Sequence, residues 1–324
     1  MSTTQKMLKS FFSKTKVLAI GILASSAMSG SAIAQEIINF AITDLEGMEQ
    51  LQTEFGPFRD KLIEKTGLNL KFYPVPNRTA AVEAMRNKKI DLVLTGPAEY
   101  VIFKNKTDAQ TLVGFSRPDY FNSIVVMADG PIQDVKDLKN KKVAMGSVGS
   151  TSKHLAPFQV MKDAGLNPLR DIKPFHTSVK VGWEALKRGD VAAFATTNDK
   201  FLKLRSIDKQ YQPGAFKVIA RSRDLPNDIL LYRKGLDKKS VNKIKSALSK
   251  NSDEMISAIL LGEDNKKFTG MQFLPNTKDS DYDYVRSMYK TIGVNKFNKF
   301  LQIRNFFIIF FKRISWESLQ NHLF

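Results

Sequence analysis

A strand end, two glycines and a hydroxyl-rich helix start follow one another near the middle of the chain. Residues 143–145 are apolar, which is typical of the end of a buried strand. Gly146 and Gly149 allow the chain to turn sharply after that strand. The three hydroxyl residues Ser150–Ser152 follow, and apolar residues continue after them at helical spacing. Because a helix start carries unpaired N–H groups and a partial positive charge, this order predicts a site for an anion.

Two interpretations of this segment remain open at the level of single residues. Ser150 either binds the anion or only caps the helix. His154 lies one turn into the predicted helix, where its ring either reaches the anion or packs against the helix. We adopt the anion site because the rest of the chain supports it, and we take Ser150, Thr151, Ser152 and His154 as predicted ligand residues.

The first 34 residues have the composition of a secretory signal peptide. A leader with four lysines precedes the apolar run 17–28, and small residues at 31–34 provide a cleavage site before Gln35. The sequence therefore predicts removal of residues 1–34 and a periplasmic mature protein. The chain has no cysteine, so neither a disulfide nor an acylated cysteine is available. We expect the protein to be free rather than lipid-anchored.

The chain is basic, with a formal net charge of +18. Nucleic-acid binding is the first alternative for such a charge. However, the lysines of the mature chain are scattered singly among acids, and no nucleic-acid-binding motif is present. A surface that attracts anions is the simpler interpretation, and no nucleic-acid partner is expected.

Predicted strands and helices alternate through the chain. Apolar runs predict strands at residues 37–42, 68–75, 90–94, 112–115, 123–127, 142–145, 172–175, 191–195, 216–220 and 229–232. Helices are predicted between most of these strands, and two further helices, 240–249 and 284–292, close the fold. Such an alternation predicts an α/β fold in which ligands lie beyond the carboxyl ends of the strands.

The alternation starts afresh after the fifth strand, which predicts two similar lobes with a ligand cleft between them. The chain would cross between the lobes twice, near residues 116–126 and near residues 220–231. We expect lobe 1 to comprise residues 35–118 together with 228–295. Lobe 2 would then comprise residues 119–227.

Residues 296–324 form an atypical tail. Its run 306–311 is dense in phenylalanine and isoleucine, which is typical of an aggregation-prone segment. We interpret this tail as a variant or frame-altered C-terminus. A surface amphipathic helix is the alternative.

Six segments occur in an order that resembles a known family. They are Gly96–Tyr100, Tyr120–Ser123, Asp137–Val143, Gly149–Pro157, Ala185–Val191 and Ile219–Asp228. Over residues 37–292 this series is similar to the phosphonate-, phosphate- and phosphite-binding proteins of ABC importers. The resemblance implies a two-lobe, type II-like periplasmic binding protein. Such a protein captures a phosphorus oxyanion and delivers it to an ABC permease and its ATPase at the inner membrane.

The resemblance also implies roles for individual residues. It assigns the oxyanion to Ser150–Ser152 and places Tyr100 in the cleft from the other lobe. Asp199 and Asp228 match two acids that hold the ligand ammonium in aminoalkylphosphonate binders of the family. Beside an oxyanion, such acids either bind an ammonium or accept a hydrogen bond from a protonated P–OH group. We favour the second use.

The chain departs from the family pattern at two positions. Thr79 stands where several members have a cleft tyrosine. Val179 stands where phosphonate binders have a histidine, and His176 is three residues early. These departures support the oxyanion class more strongly than any particular phosphonate, so phosphite and phosphate belong among the expected ligands.

A module that presents an anion to a receptor and an enzyme on the same two-lobe scaffold are the alternative functions. Catalysis is not expected, because Ser150 lacks the Gly-x-Ser-x-Gly setting of a hydrolase nucleophile and no cofactor motif is present. His176 and His322 have no neighbours at metal-ligand spacing, so neither a metal nor a cofactor is expected. We expect a monomer.

Overall fold

The computed structural model describes residues 36–45 and 47–295. The predicted signal peptide, residues 1–34, and the predicted tail, residues 296–324, lie outside the described residues. Within the described ranges, no helix is both long enough and apolar enough to cross a membrane.

The described residues contain eleven strands. In chain order they are β1 (Ile37–Ile42), β2 (Asn69–Phe72), β3 (Leu92–Thr95), β4 (Gln110–Phe115), β5 (Asn122–Met127), β6 (Lys142–Met145), β7 (Lys173–His176), β8 (Ala193–Thr197), β9 (Phe216–Arg221), β10 (Asp228–Tyr232) and β11 (Phe273–Leu274).

The same residues contain nine α-helices. They are α1 (Gly47–Thr66), α2 (Arg78–Arg86), α3 (Pro97–Lys106), α4 (Ala156–Asp163), α5 (Val179–Lys187), α6 (Asn198–Ile207), α7 (Lys238–Lys250), α8 (Ser252–Ile259) and α9 (Asp283–Thr291). Short 3-10 helices lie at Val135–Leu138, Pro213–Ala215, Asp264–Phe268 and Asp279–Tyr282. Thr151–Leu155 forms a π-helical turn that leads directly into α4.

The strands form two sheets. A six-stranded sheet has the order β11-β4-β10-β3-β1-β2, and a five-stranded sheet has the order β7-β6-β8-β5-β9. In each sheet three neighbouring strands are parallel, and the remaining pairs are antiparallel. The chain passes to the second sheet between β4 and β5 and returns between β9 and β10. This arrangement confirms the predicted two-lobe α/β fold with two crossing segments.

We use lobe 1 for the part of the chain built on the six-stranded sheet and lobe 2 for the part built on the five-stranded sheet. The residue boundaries given above for the two lobes stay a prediction. Helix α9 shows why a sharp boundary is difficult near the end of the described chain. Tyr289 Oη donates to the carbonyl oxygen of Ala98 in α3 (3.2 Å), and Thr291 Oγ1 contacts Gln159 Oε1 in α4 (2.5 Å). The helix therefore contacts both lobes.

The central strands β3 and β8 are buried on both faces. No residue of either strand is exposed. Their sequences are apolar until the last positions, as expected for parallel strands that helices cover on both sides. Thr95 ends β3 and Thr197 ends β8, so polar groups begin at the carboxyl ends of both strands.

Each lobe has its own aromatic core. In lobe 1, the ring of Phe58 in α1 lies edge-on to Phe40 and Phe115, with centroids 6.4 and 6.1 Å away. In lobe 2, the ring of Trp183 in α5 lies 4.3 Å from that of Phe216, measured between centroids. Large buried rings of this kind supply much of the hydrophobic stabilisation. The loops at the strand ends are thus supported by two separate packed layers.

Candidate functional site

A cavity of about 480 Å³ lies between the lobes, and residues of both line it. Its walls include Thr43 after β1, Gly96 after β3, Ser147 after β6 and Thr197 at the end of β8. All four lie at the carboxyl ends of strands in the parallel parts of the two sheets. The cavity therefore occupies the position where open α/β sheets bind their ligands.

Helix N-termini converge on this cavity. It is lined by Arg78, the first residue of α2, by Gly96, the cap residue of α3, and by Thr197, the cap residue of α6. Ser150 adds a fourth, because it caps the π-helical turn. Each N-terminus presents unpaired N–H groups and a partial positive charge. Four of them around one polar cavity make an environment suited to an anion.

The hydroxyl segment lines the cavity as predicted by its place in the sequence. Ser150, Thr151 and Ser152 are all buried and all contribute to the wall. Ser150 Oγ accepts a hydrogen bond from the backbone N–H of Lys153 (3.3 Å), so the cap interpretation also holds. The distance is at the long end for an N–H···O bond. Capping and anion binding are therefore compatible at this residue.

The loop before this segment is shaped by two glycines. Gly149 has φ +87°, a left-handed conformation that other residues rarely adopt. A Cβ on Gly146 would lie 2.7 Å from Lys153 Cβ, so no larger residue fits there without movement. The N–H of Leu155 donates to the carbonyl oxygen of Ser150 (2.9 Å), which closes the π-helical turn. This wider first turn replaces the regular α-helical start that the sequence predicts.

Asp199 and Asp228 line the cavity from opposite lobes. Asp199 lies in the first turn of α6, where a carboxylate interacts favourably with the helix N-terminus. Asp228 begins β10 and is buried, and its Oδ2 lies 3.6 Å from Arg117 Nη1. Its Oδ1 has no hydrogen-bond partner among the described residues. Burial raises the pKa of Asp228, although Arg117 opposes this shift.

Arg117 and Tyr120 form a second group on the first crossing segment. The Arg117 guanidinium carbon lies 3.6 Å from the centre of the Tyr120 ring. Burial raises the pKa of Tyr120 to about 12, against the opposing effects of Arg117 and of a hydrogen bond with Ser152. The Tyr120 hydroxyl therefore stays protonated at neutral pH and is a donor beside the hydroxyl segment.

Arg78, Asp44 and Glu99 form an ion cluster on the lobe 1 wall. Arg78 Nη2 lies 2.8 Å from Asp44 Oδ1, and Arg78 Nε pairs with Glu99 Oε1. Burial favours protonation of Asp44, but Lys267 and Arg78 outweigh it and hold the pKa of Asp44 well below its usual range. Burial raises the pKa of Glu99 to about 7 even though Arg78 opposes the shift. One of the two carboxylates around Arg78 is thus poised to change its charge near neutral pH.

Tyr100 does not line the cavity, which corrects its predicted position in the cleft. It is buried in α3, and its hydroxyl donates to Asp279 Oδ1 (2.8 Å). Its ring lies 3.9 Å from that of Tyr282, measured between centroids. Because successive helix residues are rotated by about 100° around the helix axis, its neighbour Glu99 faces the cavity in its place. Tyr120 is the tyrosine that lines the wall.

His154 likewise lies behind the cavity wall rather than in it. Its Nδ1 accepts a hydrogen bond from the backbone N–H of Gly149 (3.0 Å), and its ring contacts Phe158. Burial, with a smaller effect from His176, lowers the pKa of His154 to about 3. The ring is therefore neutral, and it supports the Gly149 turn. The structure favours the packing interpretation of this residue.

Sequence reasoning missed the charged residues of the site. Arg78, Glu99, Arg117, Lys153 and Lys267 all line the cavity. Three of them were one position from a residue that the sequence did single out, because Arg78 precedes Thr79, Glu99 precedes Tyr100 and Lys153 follows Ser152. The available signal was the position of each residue at a predicted strand end or helix start. Charge alone gave no signal, since lysines and arginines are frequent throughout the chain.

No group of three or more histidine, cysteine or acidic residues is arranged to hold a metal within residues 36–45 and 47–295. His176, near the position where phosphonate binders have a histidine, lies beside the glycine loop. Its Nδ1 is 2.7 Å from the carbonyl oxygen of Gly146. Val179 begins helix α5 and does not line the cavity.

Two α/β lobes, two crossing segments and a polar cavity at strand ends and helix starts together define a periplasmic substrate-binding protein. Residues 40–271 match the model of a protein family described as "ABC transporter, phosphonate, periplasmic substrate-binding protein". The chain belongs to this family. It is therefore a periplasmic substrate-binding component of the phosphonate type, whose partners are the permease and the ATPase of an ABC importer.

Two relatives support this assignment. The phosphonates-binding periplasmic protein of Escherichia coli (strain K12) is 26% identical over 245 residues, which are 71% of this chain and 70% of the relative. The phosphate-import protein PhnD of Mycolicibacterium smegmatis is 26% identical over 314 residues, which are 87% of this chain and 96% of the relative. The two names cover different phosphorus oxyanions.

Solved structures show the same fold. PhnD1 from Prochlorococcus marinus in complex with methylphosphonate superposes with a TM-score of 0.61 at 17% identity, over 80% of this chain and 99% of the other. The aliphatic sulphonate binding protein SsuA from Escherichia coli superposes with a TM-score of 0.56 at 16% identity, over 81% of this chain and 94% of the other. At such identities the similarity establishes the fold alone.

Proposed function

We propose that the protein binds a tetrahedral phosphorus oxyanion between Ser150–Ser152 of lobe 2 and the charged wall of lobe 1. The observation that carries this proposal is the hydroxyl segment itself, which lines the cavity at a helix start. Serine and threonine hydroxyls donate hydrogen bonds to phosphoryl oxygens. Ser150 Oγ already accepts from the N–H of Lys153, but the N–H groups of Thr151 and Ser152 precede the first helical hydrogen bond and add further donors.

Thr151 can donate a hydrogen bond to the ligand while it accepts one from the protein. Its Oγ1 accepts a hydrogen bond from the backbone N–H of Ala98 (3.0 Å). A hydroxyl accepts through its lone pairs and donates through its proton. The proton of Thr151 is therefore left for the oxyanion, as is the proton of Ser150. Tyr120 provides a fourth hydroxyl on the same side of the cavity.

Asp228 and Asp199 require a proton donor on the ligand. A buried carboxylate oxygen without a hydrogen bond is costly, and Asp228 Oδ1 is such an oxygen among the described residues. A ligand P–OH group satisfies it, and so does a ligand ammonium. We propose the P–OH group, because the neighbouring Arg117 already supplies Asp228 with a positive partner. Phosphate, phosphite and simple phosphonates all carry such a group in their singly protonated forms.

A ligand screen by thermal shift tests the oxyanion proposal. The protein is titrated with phosphate, phosphite, methylphosphonate, 2-aminoethylphosphonate, sulfate and selenate. A ligand at 100 times its dissociation constant stabilises the folded state by about 2.7 kcal/mol. We expect this stabilisation from at least one phosphorus oxyanion and less from sulfate. Absence of a shift with every phosphorus compound would refute the proposal.

We further propose that the protein acts without catalysis, as a monomer, and without a nucleic-acid partner. The family is one of transport components, and the site has hydroxyls and charges but no nucleophile motif. Residues 1–34 would direct export and be removed. Lobe 1 would comprise residues 35–118 and 228–295, and lobe 2 residues 119–227. Because both lobes supply cavity residues, ligand binding would be coupled to closure about the crossing segments.

A further inference from the structure

Arg78 brings a guanidinium to the cavity from the lobe opposite the hydroxyl segment. It is the first residue of α2 and lines the cavity. Its Nη2 bonds to Asp44 and its Nε pairs with Glu99. Its Nη1 donates no hydrogen bond to any residue that the structure describes. A guanidinium has five N–H donors in one plane, so donors remain for a further acceptor.

The electrostatic neighbours of Arg78 place it near the proposed oxyanion contacts. Glu99 is first among the groups that raise the pKa of Arg78, followed by Asp44 and then Tyr120. The backbone N–H of Ala98, which precedes Glu99, donates to Thr151 Oγ1 of the hydroxyl segment (3.0 Å). Burial lowers the pKa of Lys153, which follows Ser152, while Asp44 opposes this shift and Arg78 adds to it. The guanidinium and the hydroxyl segment therefore face the same part of the cavity.

We propose that Arg78 binds the oxyanion directly from lobe 1, and that Glu99 takes up one proton when the anion arrives. The inference rests on the oxyanion site proposed above. The ligand and the Glu99 carboxylate are both acceptors that compete for one guanidinium. Protonation of Glu99 removes one competing charge and leaves the positive charge of Arg78 to the ligand.

The surroundings of Glu99 explain why this residue, rather than Asp44, would take up the proton. Glu99 is buried at 4% exposure, whereas Asp44 is only partly buried, with 36% of its side chain exposed, and is held ionised by Lys267 and Arg78. Asp44 and Asp228 face Glu99 and oppose its ionisation, and Arg78 favours it. Tyr289 of α9 also interacts with Glu99, and the Glu99 carboxylate raises the pKa of Tyr289 together with burial, which is the larger cause. An anion added beside Arg78 would be a third negative neighbour.

The arrangement also limits the ligand class. An oxyanion held by the hydroxyls of one lobe and by a guanidinium of the other needs oxygens on both of its sides. A tetrahedral group with three terminal oxygens meets this requirement. A planar carboxylate has only two oxygens on one edge, so acetate should bind far more weakly than phosphate.

Calorimetry of the whole protein tests the inference, with inorganic phosphate and methylphosphonate as probes. Each titration is run at pH 8 in two buffers of different ionisation enthalpy, so that proton uptake is measured directly. The variants are Arg78→Gln and Glu99→Gln. The matched controls are Arg86→Gln, at the other end of α2, and Glu83→Gln, which pairs with Arg86 on the surface (3.2 Å). Thermal melting establishes that each variant is folded.

We expect the wild type to take up about one proton more than Glu99→Gln for the same probe. The proton balance of the ligand itself cancels in this difference. Arg78→Gln should weaken binding roughly tenfold or more, as the loss of a hydrogen bond to a charged group implies. Both controls should match the wild type. If Arg78→Gln does not fold, the difference in proton uptake between the wild type and Glu99→Gln tests the inference by itself.

Equal proton uptake by the wild type and Glu99→Gln would overturn the inference, as would wild-type affinity in Arg78→Gln. The oxyanion site would still stand if Ser150→Ala weakens binding in the same experiments. If the wild type binds neither phosphate nor methylphosphonate, this inference fails, whereas the proposed function fails only if phosphite and 2-aminoethylphosphonate do not bind either.

Discussion

Thr151 Oγ1 accepts a hydrogen bond from the backbone N–H of Ala98, with 3.0 Å between the two atoms. Thr151 lies in the hydroxyl segment of lobe 2, and Ala98 lies in the first turn of α3 in lobe 1. The cap residue of α3 is Gly96, which has no side chain to cap the helix. Thr151 therefore supplies a cap from the opposite lobe. The hydroxyl of Thr151 therefore belongs both to the hydroxyl segment and to the contact between the lobes.

Thr151→Val should reduce both stability and affinity, because valine keeps the shape but removes the hydroxyl. We expect the free energy of unfolding to fall by about 1 kcal/mol, the usual value for a lost N-terminal cap. Thr151→Ser keeps the hydroxyl and is the control. Urea unfolding and ligand titration measure the two effects. Equal unfolding curves for Thr151→Val and the wild type would show that the cap is unimportant.

Ser150→Ala should weaken oxyanion binding roughly tenfold to a hundredfold, because hydrogen bonds to charged groups contribute about 1.5–3 kcal/mol. The loss of its cap should cost about 1 kcal/mol of stability. Ser178→Ala is the matched control, since Ser178 caps α5 through the N–H of Val181 (3.2 Å) and does not line the cavity. Both variants should lose similar stability. If affinity is also unchanged in both, Ser150 is a cap alone.

Tyr120→Phe should reduce mainly affinity and Tyr100→Phe mainly stability, because Tyr120 lines the cavity and Tyr100 lies in the core. Tyr120→Phe removes a donor beside Ser152, so affinity should fall by about 1 kcal/mol, roughly fivefold. Tyr100→Phe removes the bond to Asp279 and should lower stability with little change in affinity. Calorimetry and urea unfolding report the two quantities. A larger affinity loss in Tyr100→Phe would contradict the placement of both residues.

The fold could be predicted because apolar runs mark its strands. The predicted run 191–195 overlaps β8, whose residues are all buried. The sequence did not predict helix α6, because few of its residues are buried and the helix therefore lacks a pattern of apolar residues. Phe201 is the one residue of α6 that is buried, so this helix has no apolar stripe for a periodicity argument to find.

The site could be predicted only where local sequence determines it. The hydroxyl segment follows a strand and two glycines, so its position at a helix start could be predicted from the sequence. The position of Arg78 beside Glu99 depends on how α2 and α3 pack, which no local pattern specifies. The error at Tyr100 shows the limit of a motif, because a shift of one residue on a helix turns the side chain from the cavity to the core.

The ligand-free stability of the protein should depend on pH through Glu99. Its pKa in the folded state, about 7, lies above its usual value, because burial disfavours the carboxylate. A raised pKa means that the folded state binds more protons than the unfolded state between these two values. The stabilising contribution is full at low pH and is lost as pH rises through about 7. Glu99→Gln should lack this component.

Urea unfolding at pH 5 and pH 8 measures this effect. We expect the wild type to lose more stability than Glu99→Gln between the two pH values. Glu83→Gln, a substitution on the surface of α2, should follow the wild type. Parallel pH trends for the wild type and Glu99→Gln would show that Glu99 titrates normally.

Asp228 should decide how binding depends on pH and on a ligand amine. If Asp228 accepts a hydrogen bond from P–OH, affinity for phosphite should fall as pH rises from 5.5 to 8, because doubly deprotonated phosphite has no such group. Phosphate keeps one P–OH after its second ionisation, so its affinity should fall less. Asp228→Asn should reduce the difference between the two ligands. Glu99 contributes to the pH trend of both proteins, so the comparison with the wild type isolates Asp228.

The alternative role for Asp228 is tested with 2-aminoethylphosphonate and methylphosphonate at the same two pH values. If the acids hold an ammonium, the amine should strengthen binding, and Asp228→Asn should remove that gain. Asp190→Asn is the control, because Asp190 pairs with Arg188 on the surface (2.8 Å). We expect a small gain, since Arg117 already balances the charge of Asp228. A gain of more than about 2 kcal/mol, roughly thirtyfold in affinity, would assign the site to an aminoalkylphosphonate instead.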